Sequence, residues 1–308
     1  MEYKTNLLLG KQVEYPQMYT KEVLTAIPRS ANRKVYGIEE ENRLFVGWDC
    51  WHAYEAGFIL ESGLPVCGVL KIVYSADSPS IVESKSLKLY LGSFNMTRLG
   101  SRIEEGIRLF ETTVATDLSA LLETTVRLRF YQSQPDTLPF DFKDYQILET
   151  SCNVADHVNK ANQATVIFSV YNEHPAFLQE NDNTVQHTGI PAHQLKVGSH
   201  LLRSNCKITN QPDWGSIFIH LEANTLPARL SLLKYIVSLR AENHFHEEIC
   251  EMVFKRLSDL FSPTLLTVSC LYTRRGGIDI CPIRSNKAEF LPAYIINENI
   301  LTERTFRQ

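Results

Sequence analysis

The stretch Ser101–Gln132, SRIEEGIRLFETTVATDLSALLETTVRLRFYQ, changes its hydrophobic period partway along. Ile103, Ile107, Phe110, Val114, Leu118 and Leu121 recur at steps of three or four residues, which places them on one face of a helix ending near Leu122. From Thr124 to Gln132 the residues alternate, as on a strand with one buried face. Upstream, Val66–Tyr74 (VCGVLKIVY) reads as a strand and Arg43–Val46 as a shorter one. Between them and the long helix, Ala76–Ser80 (ADSPS) leads into Ile81–Phe94. There Leu87, Leu91 and Phe94 fit a second helix, with Ser78 or Ser80 as its N-cap. The first half therefore runs strand, helix, helix, strand.

The second half repeats this order without repeating the sequence. Strand candidates are Ala164–Tyr171 and Gly215–Leu221, helices Ala228–Arg240 and Phe245–Phe261, and the closing strands Leu265–Tyr272 and Ile278–Ile283 flank a turn at Arg274-Arg-Gly-Gly277. Strand pairs with two helices between them imply an α+β fold of two tandem modules, each an antiparallel sheet with helices on one face. We place the modules at residues 1–135 and 161–308, with a proline-bearing connection over 136–160. No strand-to-helix turn of the GxGxxG kind occurs, so nothing points to a Rossmann cofactor site.

The chain has 308 residues, 44% apolar and 21% charged, enough apolar material for a core. A formal charge of −4 gives no general basic field and speaks against direct nucleic-acid binding. The run Leu7–Leu9 is too short for a signal peptide's apolar region, and no stretch approaches the ~20 apolar residues of a membrane span. Seven cysteines without a CxxC pair suit free thiols in a reducing cytoplasm.

Four segments carry chemistry. In Ser204–Ser216, SNCKITNQPDWGS, Cys206 stands in a polar segment read as a loop, and Asp213 follows seven residues later. The pair offers a nucleophile and a proton carrier, although spacing alone fits an incidental loop thiol better. In Phe245-His-Glu247, at the start of a helix, His246 can move protons near neutrality and Glu247 can accept N–H donors; a solvated helix face is the plainer reading. His244, His246 and Glu247 lack metal-ligand spacing, so no metal is expected. Lys85 and Lys88, three residues apart in Glu83–Tyr90 (ESKSLKLY), and Arg274 with Arg275 at the turn are cationic pairs able to reach a phosphate, or simply exposed charge.

Together these segments resemble the NADPH-dependent 7-cyano-7-deazaguanine reductases in their long, bimodular form. Glu83-Ser-Lys-Ser-Leu-Lys-Leu-Tyr90 matches the family hallmark at every position, LGSFNMTR continues it, and Cys206 follows in the second module as the family order requires. Trp51-His-Ala-Tyr-Glu55, FHEE and RRGGIDI are also similar; Cys281, Ile283 and Ala241–His244 are less typical. The resemblance implies the tunnelling fold, a homodimer, and NADPH-driven reduction of a nitrile to an aminomethyl group in queuosine biosynthesis. It further implies Cys206 as nucleophile, Asp213 and His246 as proton carriers, Glu83, Phe245 and Glu247 as substrate-binding residues, and Ser84, Lys85, Lys88, Arg274 and Arg275 around the cofactor. The rival readings are a zinc-dependent cyclohydrolase of the same fold, a nitrile hydrolase acting through the same thioimidate, and a non-catalytic deazapurine binder.

Overall fold

The computed structural model describes residues 15–39, 44–152, 167–179 and 193–308. Its first half contains β1 (Ala26–Pro28), α1 (Ser30–Val35), β2 (Val46–Ile59), β3 (Pro65–Ser75), β4 (Ser80–Val82), α2 (Ser84–Gly92), α3 (Ile103–Leu122) and β5 (Val126–Tyr131). β6 (Gln146–Ile147) and α4 (Leu148–Ser151) follow in the connection. The second half contains β7 (His193–Ser199), β8 (Arg203–Cys206), β9 (Pro212–Ala223), α5 (Arg229–Ser238), β10 (Asn243–His244), α6 (His246–Phe261), β11 (Leu265–Tyr272) and β12 (Ile278–Ser285).

The two halves share one sheet. Its order is β10-β8-β9-β11-β12-β2-β3-β5, and the join is the antiparallel pairing of β12 with β2, from Ile278 opposite Ala53 to Ser285 opposite Val46. All pairings along this path are antiparallel except the short β10–β8 edge. On one face α2 and α3 pack on β2, β3 and β5 through Leu87, Phe110, Val114 and Leu118, while α5 and α6 pack on β7, β9 and β11 through Leu232, Ile236, Val253 and Leu257. The fold is thus α+β, with an antiparallel sheet and helices against it. The opposite face carries a third cluster, in which Phe142 stacks on Phe218 at 4.2 Å and Ile295 covers Ile283 and Cys281. Phe140–Ile147 of the proline-bearing connection and Leu291–Ile296 near the end of the described residues are therefore packed structure.

Several expectations change. Ser80 opens a short strand, β4, because Ser80–Val82 pairs with Pro28–Ala26. The helix starts four residues later, and its N-cap is Glu83, whose carboxylate accepts the Ser86 N–H at 2.6 Å; neither Ser78 nor Ser80 caps it. Of the expected strand Arg43–Val46, Arg43 lies outside the described residues, Leu44 and Phe45 are irregular, and Val46 begins the 14-residue β2. Of the expected strand Ala164–Tyr171, residues 167–171 are irregular and the rest lies outside the described residues. β7 and β8 take that edge instead, in one hairpin with β9.

A buried ion network sits where the halves meet. Arg284 on β12 is fully buried and donates to Asp49 on β2 at 2.8 Å and to Glu251 on α6 at 2.8 and 3.0 Å. Arg29 reaches the other Asp49 oxygen at 2.5 Å, and Arg33 makes a two-point bond to Glu251 at 2.7 and 2.9 Å. Burial pushes both carboxyls up, but the arginines outweigh it and hold them below the usual carboxylate range.

Candidate active site

The hairpin of β8 and β9 brings the nucleophile candidate to its partner. Ser204 lies opposite Asp213, so Cys206, two residues further along the same face, is Asp213's diagonal neighbour. Cys206 is the last residue of a strand and buried, rather than part of a loop as its polar neighbours suggest. Its N–H bonds the Gln211 carbonyl at 2.8 Å and its carbonyl accepts from Asn210 at 3.0 Å, which closes a tight turn with Asn210 at φ 54°. Burial raises the Cys206 thiol pKa, yet the Thr209 hydroxyl, the Thr209 and Ile208 N–H groups and Arg275 pull harder and leave it below an ordinary thiol's.

Asp213 is buried between Arg275 and His246. Arg275 lies 2.7 Å from its Oδ1, and the Nε2 of His246 lies 3.4 Å from its Oδ2. His246 opens α6 and stands over Tyr272, with ring centroids 3.9 Å apart. The helix start is fixed by Glu248, whose Oε2 accepts the Phe245 N–H at 3.1 Å and whose other oxygen takes Lys207 at 2.7 Å. This lock turns Phe245 onto Ile27, Ile81 and Ile208, and buries Glu247 instead of leaving it on a solvated face.

Ile27, Trp51, Val82, Ser84, Cys206, Asp213, Phe245, His246, Glu247 and Arg275 line one small cavity. A larger cleft beside Arg29 and Arg33 is lined by no cysteine or histidine. Among the polar atoms in and beside the smaller cavity that are buried without a hydrogen-bond partner are Oε1 of Glu247, Oε1 of Glu83 and Nε1 of Trp51. Burial and the nearby Asp49 charge push Glu247 up to about 8, so its carboxyl is protonated at neutral pH. Burial also raises Glu83, against the N–H groups of Ser86 and Lys85. Unpaired acceptors in a dry pocket suit a flat heterocycle bearing N–H groups, because such a ligand repays the cost of burying them.

The cationic candidates part company. Arg275 turns to Asp213 and the thiol, whereas Arg274 stacks on Tyr54 with its guanidinium 4.2 Å from the ring centre. Lys88 faces Glu55 at 3.6 Å and meets the turn, its Nζ 3.2 Å from where a Cβ on Gly276 would stand. Gly276 and Gly277 hold φ of 61° and 80°, so the turn presents bare backbone beside Lys88, as close approach of a phosphate requires. His244, His246 and Glu247 do not converge on a metal position: His244 turns to Glu242 and Glu248. Among the described residues one metal-like group exists, His52, Asp279 and Cys281, and Arg304 already stands in it, 3.2 Å from His52 Nδ1. Arg275's contact with Asp213 and the orphaned Trp51 nitrogen are site features that sequence reasoning missed, since both depend on strands meeting across the sheet.

Comparison with known proteins shows the family to which the chain belongs. Residues 15–130 match the family described as nitrile reductase, 7-cyano-7-deazaguanine-reductase N-term, and residues 212–290 match that described as QueF-like protein. The chain is 35% identical over 294 residues to the NADPH-dependent 7-cyano-7-deazaguanine reductase of Colwellia psychrerythraea, covering 94% of each chain. It is 35% identical over 296 residues to the protein of the same name from Psychrobacter cryohalolentis, covering 92% of this chain and 95% of the other. The apo crystal structure of an archaeosine synthase QueF-Like matches 32% of this chain and 94% of its own, at 16% identity and a TM-score of 0.28.

Proposed function

Because the chain belongs to the family of NADPH-dependent 7-cyano-7-deazaguanine reductases, we propose that it reduces the nitrile of 7-cyano-7-deazaguanine to the aminomethyl group through a covalent bond to Cys206. The observation that carries the reading is the cavity holding an acidified thiol, a carboxylate with a histidine on it, and an unpaired carboxyl oxygen.

The Cys206 sulfur attacks the nitrile carbon, the thiol proton passes through Asp213 to the nitrile nitrogen, and a thioimidate results. NADPH supplies a hydride for each of the two reductions, so two cofactor molecules and two protons are consumed per nitrile. Between the reductions Cys206 leaves, and His246 delivers a later proton to nitrogen. Glu247 and Glu83 accept the heterocycle's N–H groups while Phe245 packs beside its ring. Ser84, Lys85, Lys88, Arg274 and Arg275 hold the cofactor, with Arg275 also steadying Asp213. The direct test is NADPH absorbance with the nitrile: two NADPH oxidised per aminomethyl product supports the reading, and amide or acid product without oxidation replaces it with hydrolysis.

Two further results are expected. Asp213→Asn slows thioimidate formation by about a hundredfold or more, with substrate affinity within a few-fold of wild type; stopped-flow adduct kinetics decide, and a wild-type rate removes Asp213 from proton transfer. The second concerns Glu247. A carboxylate bound to N–H donors has a lower pKa than the empty pocket's value of about 8, so substrate binding releases a proton. Affinity then rises with pH up to about 8 and levels off above it, by at most about tenfold per unit. Calorimetry in buffers of different ionisation enthalpy measures the proton; none released at pH 7 assigns the N–H edge elsewhere.

The same reading places the protein in the cytoplasm as a homodimer of tunnelling-fold modules, 1–135 and 161–308 joined by 136–160. Seven free cysteines and two separate helix-side cores support it, and among the described residues no helix is long and apolar enough to cross a membrane.

A further inference from the structure

Trp214 follows Asp213 in sequence but points away from the catalytic cavity and is 38% exposed. Three guanidiniums gather on its ring, those of Arg240 at 5.2 Å, Arg203 at 5.6 Å and Arg307 at 5.7 Å from the centre. They come from three parts of the chain: the segment after α5, strand β8 and the C-terminal tail. Arg203 donates to the Arg240 carbonyl, and Arg307 donates to the His200 and Gly215 carbonyls, so backbone bonds hold two of the three in place.

What this group lacks is an acid. Among the described residues no carboxylate pairs with Arg203, Arg240 or Arg307. Burial, then the Arg203 charge, and further the Arg307 charge draw Arg240 below its ordinary pKa. Like charges fixed on one indole are costly, and the ring's face offsets only part of that cost. An anion would offset the rest, and guanidiniums with spare planar donors fit phosphate in particular.

The position says which phosphate. The Thr273 N–H bonds the Trp214 carbonyl at 2.8 Å, and the next two residues are Arg274 and Arg275 of the turn. Arg275 points to Asp213 in the catalytic cavity, while Arg274 stacks on Tyr54, away from Asp213. Arg203 is three residues from Cys206 on the same strand, about 10 Å along the backbone. The deazaguanine nitrile is neutral, so the reaction brings one polyanion to this end of the sheet, the dinucleotide.

We propose that Trp214, Arg203, Arg240 and Arg307 form the subsite for the adenosine 2′-phosphate of NADPH, which rests on the reductase reading and extends it to the choice of cofactor. Arg240 and Arg307 supply the charged hydrogen bonds, and the exposed indole lies beside the adenine.

The test is inhibition of NADPH oxidation by adenosine 2′,5′-bisphosphate and by adenosine 5′-monophosphate, in wild type, Arg307→Gln and Arg240→Gln/Arg307→Gln, with thermal melts to verify folding. In wild type the bisphosphate is expected to inhibit at concentrations about tenfold to a hundredfold lower than the monophosphate, the difference expected from charged hydrogen bonds to one phosphate. That preference should fall about tenfold in Arg307→Gln, which also removes the bonds to the His200 and Gly215 carbonyls and is therefore checked by its melt, and vanish in the double variant. A preference that survives in both variants, or two inhibitors weakened equally, overturns the proposal while leaving the reductase reading intact. Absence of NADPH oxidation by wild type with the nitrile overturns both.

Discussion

Cys206→Ala is expected to lower turnover by roughly 10⁴ or more, the scale of loss when a covalent nucleophile is removed. Intact-protein mass spectrometry of wild type mixed with 7-cyano-7-deazaguanine, without NADPH, should show the substrate's full mass added, because a thioimidate forms without loss of atoms. The alanine variant should show no added mass yet still bind the nitrile, since the cavity's carboxyls and Phe245 are untouched. Folding should survive: the side chain is small, it ends a strand, and the backbone bonds to Gln211 and Asn210 that shape the turn remain available to alanine. An adduct persisting in the variant would place the nucleophile at another of the seven cysteines. Adduct lost together with nitrile binding would make Cys206 a packing residue.

The second large effect is on stability. Arg284→Met removes the one side chain that bonds both Asp49 and Glu251, and methionine fills much of the volume without supplying a donor. Asp49 keeps Arg29, and Glu251 keeps Arg33 with Arg29 further off at 3.9 Å, but both remain buried with an unanswered share of charge. Breaking a buried pair from one side typically costs about 3–5 kcal/mol, which for a chain of this size lowers the melting midpoint by about 5–8 °C. Differential scanning calorimetry measures it. A loss under about 1 kcal/mol would mean that water or rearrangement of Arg29 and Arg33 compensates.

These two sites differ in how visible they are in sequence. The helices were readable because Ile103, Phe110, Val114 and Leu118, or Ile249, Val253 and Leu257, repeat with the helical period and face one core. β11 and β12 were readable as apolar runs beside a glycine turn. β2 was not, because it is buried on both faces and carries Asp49 and His52 inward, which erases the alternation that marks a half-buried strand. β8 is four residues long and polar, so Cys206 read as a loop thiol although a strand holds it. The first-half helix began at Glu83 rather than after the serines because pairing of β4 with β1, 54 residues away, competes for Ser80–Val82. In the site, the segments bearing Cys206, Asp213, His246 and Glu247 were identifiable, and their convergence was not. It depends on Arg275 reaching Asp213 and on Glu248 bonding the Phe245 N–H. The Asp49–Arg284 bond joins residues 235 positions apart, a pairing that no local pattern encodes.

The position of β12 between β11 and β2 bears on how the chain must be made. A ribosome releases the first half with β2 paired on one side to β3 and bare on the other, and that edge has to wait for nearly the whole remaining sequence. The strand that fills the centre of the sheet brings Arg284, which lies 235 positions after Asp49, and Asp49 stays without it until it arrives. A nascent or truncated chain ending before Ile278 is two part-sheets with open apolar edges, the form most apt to pair with a neighbour. Closure of the sheet is the event of β12, and loss of β12 should be felt first as aggregation and only then as lost catalysis.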